Sequence, residues 1–95
     1  MPTIDVEPDD GGDGPLRFRV RVTDDDGSRT DHEVALSRAD LRRLGSTYPT
    51  PEAFIRACFR FLLEREPKGS ILRSFDVSQI SSYFPEFERE IAGPG

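Results

Sequence analysis

LRFRVRVTDDDGSRTDHEVAL, residues 16–36, decides the fold. Its first eight residues alternate without a break. Leu16, Phe18, Val20 and Val22 fall on one face, and Arg17, Arg19 and Arg21 on the other. Period-two alternation is the mark of a half-buried strand. Arg29 to Leu36 alternates more weakly, and a turn signal, DDDGS, sits between the two runs. The register follows, because apolar residues must share a face. Val22 therefore pairs with Thr30 or His32, not with Asp31. Pairing with Thr30 closes the hairpin on Asp25-Asp26-Gly27 and puts Gly27 at the left-handed position that such loops require. The same register sets Phe18 opposite Val34 and Leu16 opposite Leu36. On the other face it sets Arg21 opposite Asp31 and Arg19 opposite Glu33. A lone hairpin leaves both of its edges open to another strand of the chain or to a partner.

After the hairpin the pattern turns helical. Ser37 caps a short helix, with Asp40 in the capping-box position and Gly45 at its end. Thr50 caps a longer one, and Pro51 takes its first position, where its missing N–H costs nothing. This central helix is expected over residues 51–66, stopping before Pro67. Glu52, Arg56, Arg60 and Glu64 form one narrow polar stripe. Phe54, Ile55, Cys58, Phe59, Phe61, Leu62 and Leu63 fill most of the rest. A surface helix needs an apolar arc of only about 100°. This helix must therefore be covered on two sides, by the hairpin and by either the C-terminal segment or a second subunit. Further on, Asp76 and Gln79 have capping-box spacing, and Val77, Ile80 and Phe84 share a helical face. Pro85 ends that helix, and Phe87 and Ile91 follow on another turn. Ile71–Phe75 allows a strand by alternation, but the reading leans to helix or turn.

The expected architecture is α+β: an N-terminal antiparallel hairpin packed on three to four helices, residues 16–95 forming a single small domain. The expected core includes Phe18, Val20, Val34, Leu36, Leu41, Phe54, Ile55, Cys58, Phe61, Leu62, Ile80 and Phe84. Residues 1–15, MPTIDVEPDDGGDGP, carry five acids, three prolines, three glycines and no base. Their composition predicts a disordered acidic tail.

Composition narrows the chemistry. The chain has 95 residues, a net charge of −5 and an apolar fraction of 35%. That supports one small core and no large buried cavity. An acidic balance argues against a broad nucleic-acid footprint. A single cysteine, Cys58, excludes an internal disulfide and a cysteine zinc cluster. No apolar run approaches the ~18 residues of a membrane span, and no leader is visible, so a cytoplasmic protein is expected. The DDDG stretch fails as a calcium loop. Counted from Asp24, Arg29 stands where glycine is needed and Ala35 where glutamate is needed. No phosphate loop, HExxH or GxSxG motif is present. No cofactor or metal is expected.

Two sets of residues qualify as partner-binding. Arg17, Arg19 and Arg21 form a basic ladder, as phosphate binding would use, to which Arg42 and Arg43 add if the short helix folds nearby. Phe59, Leu63, Tyr83 and Phe87 are aromatic or apolar residues of the kind enriched at protein interfaces. Cys58 and His32 form a conceivable catalytic dyad. However, Cys58 lies mid-helix on the apolar side, where cysteine acts as a small hydrophobe, and no third group is identifiable. His32 is expected at the sheet edge, partly exposed. The segment around Ser78, Gln79, Ser81 and Ser82 offers only Gln79 for reading base edges. The leading expectation is a non-enzymatic protein-interaction module, acting on a partner or on itself. Nucleic-acid binding through the arginine ladder is the alternative.

The phrases LLEREP, SILRSFD and YFPE between residues 51 and 91 resemble a family of small bacterial proteins of no known activity. The resemblance implies a bacterial cytoplasmic origin and an α+β domain of this length. No catalytic residue or cofactor comes with it.

Overall fold

The computed structural model describes residues 2–9 and 14–92. It forms a four-stranded sheet and four helices. The strands are β1 (Thr3–Asp9), β2 (Leu16–Thr23), β3 (Arg29–Leu36) and β4 (Ser74–Asp76), and they lie side by side in that order. The helices are α1 (Arg38–Leu44), α2 (Pro51–Leu63), α3 (Ser78–Tyr83) and α4 (Phe87–Ile91), with a 3-10 turn at Lys68–Ser70. The hairpin packs on the helices, as its alternation requires. Its register is the predicted one: Val22 opposite Thr30, Phe18 opposite Val34, Leu16 opposite Leu36 and Arg21 opposite Asp31. Gly27 has φ +87°, a conformation that L side chains rarely adopt.

The chain occupies both hairpin edges itself. On one side β1 pairs antiparallel with β2. This corrects the expected tail, since Thr3–Asp9 is a strand; residues 10–13 lie outside the described residues. The cause is alternation, which here outweighs composition. Ile4 is buried and Val6 half-buried beside the core, whereas Asp5, Glu7 and Asp9 stand opposite Arg21, Arg19 and Arg17. The acids are partners for the arginine ladder. The outer edge of β1 is blunted by Pro8, by these acids and by Arg56, whose Nε donates to the Ile4 carbonyl at 3.2 Å.

On the other side β4 joins β3 in parallel, pairing Val34 with Phe75. The Glu33 N–H donates to the Arg73 carbonyl (2.7 Å) and the Val77 N–H to the Ala35 carbonyl (2.9 Å). A parallel neighbour needs a long crossover, and α1, α2 and the 3-10 turn supply it. Ile71–Phe75 is thus neither helix nor plain turn. Its backbone is extended at Ile71 and enters β4 at Ser74, with Ile71 and Phe75 turned into the core.

α2 begins as predicted, with the Thr50 hydroxyl accepting from the Ala53 N–H at 3.0 Å. It ends at Leu63, three residues early. The Glu64 N–H still reaches the Arg60 carbonyl, but those of Arg65 and Glu66 both reach back to the Leu62 carbonyl. Pro67 disfavours helical backbone at the residue before it, and the last turn tightens instead of continuing.

Both sides of α2 are covered. Towards the sheet, Phe59 meets His32 and Phe75 at ring distances of 5.4 and 5.9 Å. Towards the C-terminal segment, Phe61 makes edge-to-face contacts with Phe84 at 5.8 Å and Phe87 at 5.0 Å. Polar contacts fasten that segment. Arg65 lies 3.6 Å over the Phe61 ring and bonds Glu86 and Glu90. Arg43 bonds Glu88, and the Tyr48 hydroxyl donates to the Ile91 carbonyl at 2.7 Å. Of the expected core residues, Leu41 and Phe84 are only partly buried against it. Ile4, Val22, Phe59, Ile71, Phe75, Val77, Phe87 and Ile91 are buried too.

Candidate functional site

Where α2 ends, the chain turns through Lys68–Ser70, runs along the edge of β3 and enters α3. These three pieces do not close on one another completely. Leu62 and Glu66 form one wall of a groove, Ile71, Leu72 and Phe75 a second, and Ile80, Tyr83 and Phe84 a third. Its volume is about 170 Å³. An engineered apolar cavity of roughly 150 Å³ holds one benzene. The groove therefore has room for one aromatic ring or one branched aliphatic side chain.

The two exposed large apolar residues among those described, Leu72 (46% exposed) and Tyr83 (66% exposed), both border this groove. Scattered surface leucines are ordinary, but paired ones on an apolar depression are not. Leu72 is also held in place. Its carbonyl accepts a 2.8 Å hydrogen bond from His32 Nδ1, and its neighbour Ile71 is buried. A carbonyl can only accept, so Nδ1 carries the proton. In the neutral ring Nε2 then accepts from the Thr30 hydroxyl at 2.8 Å. The far wall is fixed by the two residues of the predicted capping box, with the Asp76 carboxylate reaching the Ser78 N–H and not that of Gln79. Asp76 accepts from the Ser78 N–H (2.9 Å), and Gln79 Oε1 accepts from the Asp76 N–H (2.8 Å). The exposed apolar groups thus sit on ordered backbone, which lowers the entropy cost of binding.

The sequence-predicted residues fare unevenly. Tyr83 is at the groove. Leu63 is half-buried against the core. Phe59 and Phe87 are fully buried, which corrects their assignment to a partner surface. The sheet covers Phe59 through His32 and Phe75, and Phe87 is the C-terminal segment's own contact with Phe61 of α2. Arg17, Arg19 and Arg21 are exposed in a row, as expected, but all three face acids on β1, and Arg19 and Arg21 also face acids on β3. Arg21 Nε donates to Asp31 at 2.8 Å, and that bond holds the Asp31 carboxyl below the usual range. Arg42 is exposed, and Arg43 is committed to Asp40 and Glu88.

His32 is not at an exposed edge. It is 2% exposed, packed on Phe59 and bonded through both ring nitrogens. Register carried the signal, since His32 shares the core face with Val34 and Leu36. Cys58 is buried in the core, and burial pushes its thiol well above the ordinary value. A protonated, enclosed thiol is a poor nucleophile. Among the described residues no cluster of three metal-ligating side chains forms, and no helix is long and apolar enough to cross a membrane.

Leu72 is the residue that sequence reading missed. It lies in the ambiguous Ile71–Phe75 segment. A strand reading there puts it on the opposite face from Ile71. No protein-family model, curated protein or solved structure matches the chain.

Proposed function

We propose that the protein is a non-enzymatic interaction module whose groove receives one aromatic or branched aliphatic side chain from a protein partner. One observation carries the reading: the two large apolar residues exposed to solvent among those described, Leu72 and Tyr83, border the same apolar depression on ordered backbone. Such a pocket with an exposed aromatic at its rim has the form of an interface hot spot. Its polar lining is Glu66, Ser70, Gln79 and the hydroxyl of Tyr83. Both apolar faces of α2 are covered within the chain and offer a partner no surface. The groove does offer one.

The nucleic-acid reading weakens for an electrostatic reason. Asp5, Glu7 and Asp9 on one flank and Asp31 and Glu33 on the other outnumber the three ladder arginines. A phosphate backbone approaching that face meets net negative charge.

Affinity capture with the wild-type chain and with Leu72→Glu, each with and without nuclease, tests the proposal. A protein held by the wild type, indifferent to nuclease and lost with Leu72→Glu, is expected. Circular dichroism checks that the variant is folded. Equal recovery on both baits, or recovery that nuclease abolishes, overturns it. If the captured species is the chain itself, the module is a homodimer.

A further inference from the structure

Ile71 also lines a second depression of about 320 Å³, whose other residues include Arg29, Thr30, Asp31, Lys68 and Arg73. Three cations and one carboxylate thus meet in one concavity of an acidic protein. The carboxylate, Asp31, is already bonded to Arg21. Lys68 is bonded to Asp24 but has three donors and spends one. Neither Arg29 nor Arg73 lies within ion-pair distance of a carboxylate among the described residues, in contrast to Arg21, Arg43 and Arg65. Both guanidinium stems leave from ordered backbone. Arg29 opens β3 opposite Thr23, and the Arg73 carbonyl accepts from the Glu33 N–H. A Cβ built on Gly69 meets no atom within 4 Å, so the mouth is open there.

Guanidinium forks match oxyanions, which they bind through paired N–H donors. We infer that the depression between Arg29, Lys68 and Arg73 is an oxyanion site that takes a phosphate or a carboxylate group. It stands apart from the arginine ladder, where each arginine faces an acid across the sheet. It does not depend on the apolar groove, with which it shares only the buried Ile71.

The test is an amide NMR titration of the full chain at constant ionic strength, with inorganic phosphate and, separately, with acetate. Saturable shifts are expected at Arg29, Thr30, Gly69 and Arg73. Arg73→Gln should raise the dissociation constant at least tenfold, and Arg29→Gln provides a second variant. Arg17→Gln on the ladder should leave it unchanged. Tighter binding of phosphate assigns the site to phosphate-bearing ligands. Equal or tighter binding of acetate assigns it to acidic side chains of a protein partner. Shifts that never saturate with either anion, or an equal weakening by Arg17→Gln, overturn the site.

Discussion

Phe87 and Tyr83 are aromatic residues four apart in the same C-terminal segment, and the structure gives them opposite fates. Phe87 is fully buried, edge-to-face with Phe61 at 5.0 Å, whereas Tyr83 is 66% exposed. Phe87→Ala removes a large buried ring and leaves a cavity between α4 and α2, a change that costs about 3–5 kcal/mol. A chain of 95 residues has a total stability of roughly 5–14 kcal/mol at typical per-residue values. The variant should therefore remain folded at low temperature with much of its margin gone. At roughly 4–8 °C per kcal/mol, its melting point should fall by at least about 12 °C. Tyr83→Ala creates no cavity and should stay within about 0.5 kcal/mol of the parent. Urea unfolding followed by circular dichroism measures both. A Phe87→Ala loss below about 1 kcal/mol, or equal losses for the two variants, would refute the seating of the C-terminal segment on α2.

Three further outcomes are expected. Gly27→Ala forces a side chain into left-handed backbone and should cost about 1–2 kcal/mol, read from the urea midpoint. Cys58 should resist a thiol reagent such as DTNB in the folded chain and react only when urea opens it; rapid labelling in buffer would contradict its burial. The Arg43 hydrogen bond lowers the Glu88 pKa, and the Arg21 bond lowers that of Asp31. A carboxylate with a depressed folded pKa stabilises the fold above its unfolded value, near 4, and loses that contribution as pH falls through the folded value. The urea midpoint should hold from pH 7 to about 5 and decline below about 4, less steeply in Arg43→Gln.

Local chemistry made the hairpin and the central helix legible. The register rests on a face rule and a turn rule that agree, and both hold at Val22–Thr30 and at Gly27. The helix start rests on Thr50 and Pro51. Decisions that depend on distant partners were harder. β1 looked like a tail because its acids read as solvated charge. They are instead opposite arginines 8 to 16 positions away. β4 is three residues long and exists only because β3 leaves an edge for it. The apolar arc of α2 showed that two covers were needed but not which residue each would hide. Phe59 therefore reads as surface, and Phe87 reads so because nothing local shows that its own segment seats it against Phe61. The groove depends on where α2, β4 and α3 meet, and of its two exposed apolar residues only Tyr83 stood out in the sequence.

The most direct test of the interaction proposal is a photo-crosslink from within the groove. A p-benzoyl-phenylalanine placed at position 83, irradiated in the cells that make the protein, should give a discrete protein adduct that Leu72→Glu abolishes. The same group at position 19, on the charged sheet face, serves as the control. An adduct confined to position 83 is the predicted result; no adduct there, or the same adducts from both positions, would contradict the groove as the binding site.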